Sequence, residues 1–591
     1  MIPLEGALVA ALIALTLAVS LGVLRRLDHT ERRWREILEA RFVLGVPWGS
    51  LVVIAFVLAV YLFVQDGISD FENPVVFPYR AWSYSYPLGM VTAPFSHASS
   101  GHLIGNLTGT IVVAPIAEYA WGHYTDREDG RLAPLTTNPW LRALVTFPLA
   151  VVTVGILTGI FAFGPVIGFS GVVFAFAGFA IVRYPITTLV AAVGAHGVVS
   201  TVYRAIQSPI LEVAPQASPP SAPSWATVAI QGHALGFFLG FLLAVALCYR
   251  RGHRPNPLHL WVALVIYGFS KGLWMIYWFG PENTYVLFRA PGVLVVFALA
   301  LVVTLAVTAS ERPALPPRIR ERLPGGPTES ERRLERALEI GASGGAATSR
   351  RIRELAVGPR DERLADIGRQ QAALAAVLIV LALIAGPAIP ANAVTVDDAT
   401  LGEGNSSLTV EGYTISYAEG VENEMVSVVD VPAFGGGTVE ASGVIVSSTE
   451  RHIWFQKVSK NQLAFTGEET IYLGGPGWRE AVHVEREGWS AVGNDTAYMV
   501  WLSADDEDRQ LAHTSEPVTA DVRIDGQNVT VVPAADGFSL EVAGEEITTV
   551  DLPGENESVE AGGLTLERTD DAIYASSNGT YVQVASKETY N

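Results

Sequence analysis

Gly168-Phe-Ser-Gly-Val-Val-Phe-Ala-Phe-Ala-Gly-Phe-Ala-Ile-Val182 contains no charged side chain and begins with a serine held between two glycines. Apolar runs like this one, near the ~20 residues a helix needs to cross a bilayer, recur along residues 1–390. They fall near 7–24, 50–65, 103–121, 141–163, 170–184, 187–206, 226–248, 258–279, 291–309 and 372–390, which predicts about ten spans. The chain has 591 residues, of which 50% are hydrophobic and 17% charged. That balance excludes a plain soluble enzyme and predicts a polytopic α-helical membrane protein. A single cysteine, Cys248, excludes a disulfide framework and a multi-cysteine zinc or iron–sulfur site.

Working outward, charge divides the chain. Residues 391–591 hold 35 acidic and 9 basic side chains, a net −26, whereas the whole chain carries −20. Only Lys271, Lys457, Lys460 and Lys587 are lysines. This acidic, arginine-using composition resembles haloarchaeal proteins, and its sign disfavours a nucleic-acid partner. Arginines cluster in 25–48, 122–142, 183–185, 249–257 and 310–371, while Arg80, Arg204 and Arg289 lie on the opposite side of the alternating spans. The positive-inside rule then makes the arginine-rich segments cytoplasmic and both chain ends extracellular.

Six segments result. Residues 1–48 are an extra helix with an Arg-rich cytoplasmic stretch, 49–250 a six-helix core, 251–309 two further helices, 310–371 a charged cytoplasmic loop, 372–390 the last span, and 391–591 an acidic extracellular domain. Within the loop, 329–340 reads as a short exposed helix. The last segment alternates β-branched and polar residues between turn residues, as in Tyr413-Thr-Ile-Ser-Tyr417, which predicts an all-β, sandwich-like domain. It carries N-x-S/T triplets at Asn405, Asn494, Asn528, Asn556 and Asn578, and begins with Ala391-Asn392-Ala393, a small-residue pattern of the signal-peptidase kind.

Three elements in the core could carry chemistry. Ser170 opens a helix, where free backbone N–H groups can face an oxyanion, although glycine-flanked serines in membrane helices usually serve packing. His233 is an ionisable group inside an apolar run, and Gly236 and Gly240 behind it form a small-xxx-small face for close helix contact. In His97-Ala-Ser-Ser-Gly-His102-Leu-Ile-Gly-Asn106, His102 and Asn106 share one helix face and both offer N–H donors. No carboxylate or cysteine completes a metal set, so neither metal nor cofactor is expected. Ser170, His233 and the His102/Asn106 pair fall near corresponding ends of three helices, the set that acyl transfer requires.

On these motifs the chain resembles the rhomboid family of intramembrane serine proteases, over about 50–248. The resemblance implies Ser170 as nucleophile and His233 as general base and acid. It also implies an oxyanion site made from the Ser170 N–H, His102 and Asn106. Gly168 would position the strained turn of the GxSG motif that ends at Gly171, His97 would support the loop above, and Gly236 and Gly240 would pack the two catalytic helices. Phe174 stands where the family often has a tyrosine stacked on the histidine, and Gly232 where alanine is common. The loop 207–225, in a region that gates substrate access in the family, is long and proline-rich.

The implied activity is a Ser–His dyad endopeptidase that cleaves transmembrane protein substrates near the extracellular face of the lipid bilayer. The alternatives are an inactive rhomboid-like client binder and a membrane anchor presenting the β domain, whose own partner the sequence leaves unknown. Lys271 is placed inside an extra helix, Glu118 in a capping or pairing role, and the aromatics of 78–86 in an interfacial belt.

Overall fold

The computed structural model describes residues 4–27, 34–122, 137–210, 217–219, 221–279, 284–309, 367–396, 406–422, 440–504, 508–535 and 537–590. The loop residues 310–366, with the helix expected at 329–340, and Asn405 lie outside this set.

Each of the ten apolar runs coincides with a helix. Seven are long and apolar enough to cross a membrane, and three are shorter. In chain order they are α1 (Leu4–Leu27), α2 (Trp48–Val64), α3 (Ser100–Trp121), α4 (Pro139–Phe161), α5 (Ser170–Arg183), α6 (Pro185–Gln207), α7 (Ile230–Arg251), α8 (Pro257–Ser270), α9 (Arg289–Thr308) and α10 (Arg369–Ala391). On α1, Leu8, Leu12 and Leu15 are exposed, as side chains facing lipid would be.

Local chemistry sets the helix ends. The Ser99 hydroxyl caps α3 by accepting from the His102 N–H, and Gly252 ends α7 in the left-handed conformation. Glu118, buried near the far end of α3, accepts from the N–H groups of Gly49 and Ser50 at 2.9 and 2.7 Å and from the Ser50 hydroxyl. Its carboxylate thus satisfies first-turn donors of α2 that would otherwise be unpaired.

Helices α5 and α7 touch backbone to backbone. A Cβ on Gly236 would collide with the Gly171 carbonyl, one on Gly240 with the Ala175 carbonyl, and one on Gly178 with the Phe237 carbonyl. Around this contact Phe176, Ile181, Phe238 and Phe241 form part of one core that extends to Leu260 of α8 and Val303 of α9.

Two expectations change here. The run at 258–279 is helical only to Ser270; the chain then turns at Gly272, whose φ of +71° suits glycine, and enters a small hairpin of β1 (Tyr277–Phe279) and β2 (Tyr285–Leu287). Lys271 therefore lies at the helix end, where it forms the C-cap, and not inside the span. The aromatics of 78–86 do not form an exposed belt, because Tyr79 and Trp82 are buried in protein.

Among the described residues the region beyond Asn392 is built of antiparallel β-sheets, with one short helix at Lys460–Thr466. One sheet has the order β3 (Leu408–Val410), β4 (Tyr413–Glu422), β5 (Glu440–Ser448), β6 (Ile453–Ser459). A second has eight strands and a third has four, spanning Val518–Asp551. The buried residues separate into two main cores, one around Tyr413, Ile415 and Val500 and another around Trp489, Leu540 and Ile573. The 14-residue strand Trp478–Ala491 contributes to both, with Val482 and Val484 in the first and Trp489 in the second. Alternation within a strand marks one buried face but does not reveal which core that face joins.

The β region is seated on the helical part. Phe77 and Trp82, from the loop between α2 and α3, are members of the first β core, and Arg479 pairs with Asp70 at 3.0 Å. Asn392 is buried: its side chain donates to the Ala162 carbonyl at 2.7 Å and accepts from the Gly164 N–H at 3.2 Å. Its own carbonyl accepts from the Tyr84 N–H. Ala391 and Asn392 are thus buried and clamp the last helix to the loop before Ser170, while Ala393 is exposed.

Candidate active site

The chain approaches Ser170 through Gly168, whose φ of +125° is open to glycine and strained for other residues. The Gly168 N–H donates to the Ala93 carbonyl at 2.9 Å, fixing this turn against the loop before α3. A Cβ at Gly168 would meet His102 Cε1 and Nε2 at 2.5 and 2.6 Å and Asn106 Nδ2 at 3.5 Å. Glycine thereby lets the backbone before Ser170 pass close to both side chains. Gly171, on the next turn, faces Thr158 of α4 at 3.2–3.3 Å from where its Cβ would be.

Because α5 and α7 pack so closely, His233 on α7 reaches the start of α5. Its Nε2 lies 2.8 Å from the Ser170 hydroxyl. The His233 ring stacks on Phe174 with centroids 4.3 Å apart and planes 11° from parallel. Stacking fixes the ring plane without needing the hydroxyl that a tyrosine would add. Nδ1 of His233 is buried and has no hydrogen-bond partner among the described residues. For Nε2 to accept from the serine, the ring proton must sit on Nδ1. Among the described residues no carboxylate orients the ring, so Ser170 and His233 stand as a pair without an acidic third member.

On the facing helix, Asn106 is buried and its Nδ2 lacks a partner among the described residues. Buried N–H donors are nearly always paired, so an orphan amide beside a serine turn has the chemistry of a donor awaiting an oxygen. His97 is buried with both ring nitrogens unpartnered and stands edge-on to His102 at 5.2 Å. The structure therefore gathers Ser170, His233, His102, Asn106, Gly168 and Phe174 in one place, with His97 behind His102 and Gly236 and Gly240 bringing the helices together.

Sequence reasoning missed Gln65. This fully buried side chain, at the end of α2, donates to the carbonyls of Val75 and His97 and accepts from the His97 N–H at 2.7 Å. It ties the His97 loop to α2. A glutamine that follows an apolar run carries the only hint, since polar groups at that depth need partners.

Residues 84–250 match the family model described as the Rhomboid domain. The match includes α3 to α7 and every side chain just described except Gln65; α2, the helices after α7 and the β region lie outside it. No curated protein and no solved structure matches the chain. The chain thus carries a rhomboid domain within a set of apolar, membrane-spanning-type helices, followed by a C-terminal region of antiparallel β-sheets.

Proposed function

We propose that the protein is an intramembrane serine endopeptidase of the rhomboid type, acting on transmembrane protein substrates. The observation that carries this reading is the 2.8 Å approach of His233 Nε2 to the Ser170 hydroxyl. Ser170 attacks the scissile carbonyl while His233 takes its proton and then delivers it to the leaving amine. The Ser170 N–H, His102 and Asn106 hold the oxyanion. Water then hydrolyses the acyl-enzyme, so the site opens to an aqueous phase. A helical substrate hides its carbonyls in hydrogen bonds and must unwind locally, which favours segments rich in Gly or Ser. On the charge asymmetry of the loops, the β region and the Ser170 end of the bundle face outward.

A fluorophosphonate probe applied to the full-length protein in native membranes tests the reading. Labelling is expected for the wild type and its complete loss for Ser170→Ala. Equal labelling of both, or of neither while a control hydrolase reacts, would instead favour the client-binding or anchor readings.

Removing the Asn106 amide tests the oxyanion role separately. Asn106→Ala is expected to lower kcat by about 10²–10³-fold, the usual effect of deleting one such donor. Cleavage of a Gly/Ala-rich single-span probe in nanodiscs measures it, and a change below threefold would remove Asn106 from the mechanism.

A further inference from the structure

A chamber of about 1460 Å³ lies between the helical bundle and the β region. It exceeds the roughly 300–1,000 Å³ usual for a small-molecule site. Its lower wall is apolar and includes Phe238 of α7, Tyr267 of α8 and Val296 of α9, and its roof includes Trp454, Phe455 and Gln456 of β6. Ala234, next in sequence to His233, and the Phe163–Val166 stretch leading to Gly168 also face it, so the chamber adjoins the dyad.

Arg80 stands in its wall. The guanidinium lies 5.3 Å from the ring centroids of both Trp82 and Phe455, and its buried Nε has no hydrogen-bond partner. Burial pushes it down to about 10, so it is still charged near neutral pH. No acid among the described residues pairs with it. Lys460, also on the wall, is already joined to Glu419 at 2.8 Å, and Glu440 on the rim forms no ion pair among the described residues. A cation walled by aromatic rings with no carboxylate partner is costly to keep unless a ligand supplies the anion. A carboxylate is the natural complement, because guanidinium binds it through two parallel hydrogen bonds.

A second, independent feature shares this wall. Strand β6 is outermost in its sheet and pairs only with β5. Among the described residues no turn, loop or inter-element backbone bond reaches Ile453–Val458 from the side away from β5. An unpaired strand edge is a template for an extended peptide.

We propose that this chamber is a substrate-selecting subsite: it receives an acidic, extended juxtamembrane segment of a membrane protein, with a substrate carboxylate on Arg80 and substrate backbone along β6. The apolar wall takes the adjoining end of the transmembrane segment. The proposal rests on the protease reading for the word substrate, but the binding itself does not require turnover. An anionic lipid would also offer a charge for Arg80. The free strand edge favours a peptide, since a lipid headgroup has no use for it.

The test uses full-length Ser170→Ala protein in nanodiscs of neutral lipid, which binds without cleaving. Three fluorescent single-span probes share one Gly/Ala-rich helix and differ only in a short juxtamembrane stretch carrying two Asp, two Asn or two Lys. The Asp probe is expected to bind at least tenfold more tightly than the Asn probe. Arg80→Glu, placed in the same background, is expected to shift the preference to the Lys probe. Should Arg80→Glu not fold, the three probes against the protein with Arg80 intact decide the matter alone. Equal affinity for all three, an Asp preference that survives Arg80→Glu, or displacement of the Asp probe by phosphatidylglycerol with equal loss for the Asn probe overturns the proposal; the last outcome makes the chamber a lipid site. A silent fluorophosphonate experiment would end the protease reading and leave this binding result standing.

Discussion

His233→Asn is expected to lower kcat by about 10⁴-fold or more, the scale seen when a serine nucleophile loses its base. Asparagine resembles imidazole in size and can hydrogen-bond the Ser170 hydroxyl, but it cannot take up the proton that the attack releases. The side chain sits where α5 and α7 meet, so the variant must be checked for folding by its melting temperature. A purely structural histidine would lose activity in proportion to lost folded protein. The proposed base predicts folded protein with almost no turnover, and kcat that no longer falls at acid pH. Activity within tenfold of wild type, in a variant still labelled at Ser170, would leave the proton without a carrier and end the dyad mechanism.

Phe174 bears on the same step. It sits flat on the His233 ring, so the contact that fixes the ring is dispersion and π-stacking alone. With Nδ1 unpartnered, His233 is oriented by packing where a triad would use a carboxylate. The precision of the Ser170–His233 contact then depends on how closely α5 and α7 approach, which places part of its geometry in the glycines between them.

Much of this was legible in the sequence, for reasons that differ by element. The ten apolar helices follow from local composition, because hydrocarbon depth demands a continuous apolar run wherever that run sits in the chain. Ser170 and His233, 63 positions apart, could be paired because an ionisable group and a glycine-flanked serine are each unusual in membrane segments. Asn392, Gln65 and Trp82 were not legible as what they are. Asn392 acts by reaching Ala162 and Gly164, and Trp82 by entering a β core hundreds of residues later. Neither contact leaves a trace in neighbouring residues, so Trp82 reads as an interfacial aromatic and Asn392 as part of a cleavage motif. The partition of the β region into two cores was hidden for the same reason, since one strand feeds both. Lys271 was misplaced by two effects: the apolar residues on both sides of it mimic a span, and the turn is made by one glycine at positive φ.

Gly240→Leu tests the backbone contact on which the site depends. A Cβ at 240 would overlap the Ala175 carbonyl, and backbone cannot rotate away as a side chain can. Leucine forces α5 and α7 apart, which costs packing along the whole contact and carries His233 away from Ser170. The expected destabilisation is about 3 kcal/mol or more, at the upper end for overpacked sites. Gly240→Ala presents the same first clash with less bulk and is expected to fall between leucine and wild type. Gly194, in α6, is the control: nothing lies within 4 Å of its added Cβ, so Gly194→Leu is expected to shift stability by no more than about 0.5–1 kcal/mol. Thermal unfolding of the three variants in one detergent measures the series. A Gly240→Leu protein as stable and as active as Gly194→Leu would show that the two helices do not meet at this face, and the closeness of Ser170 and His233 would lose its structural cause.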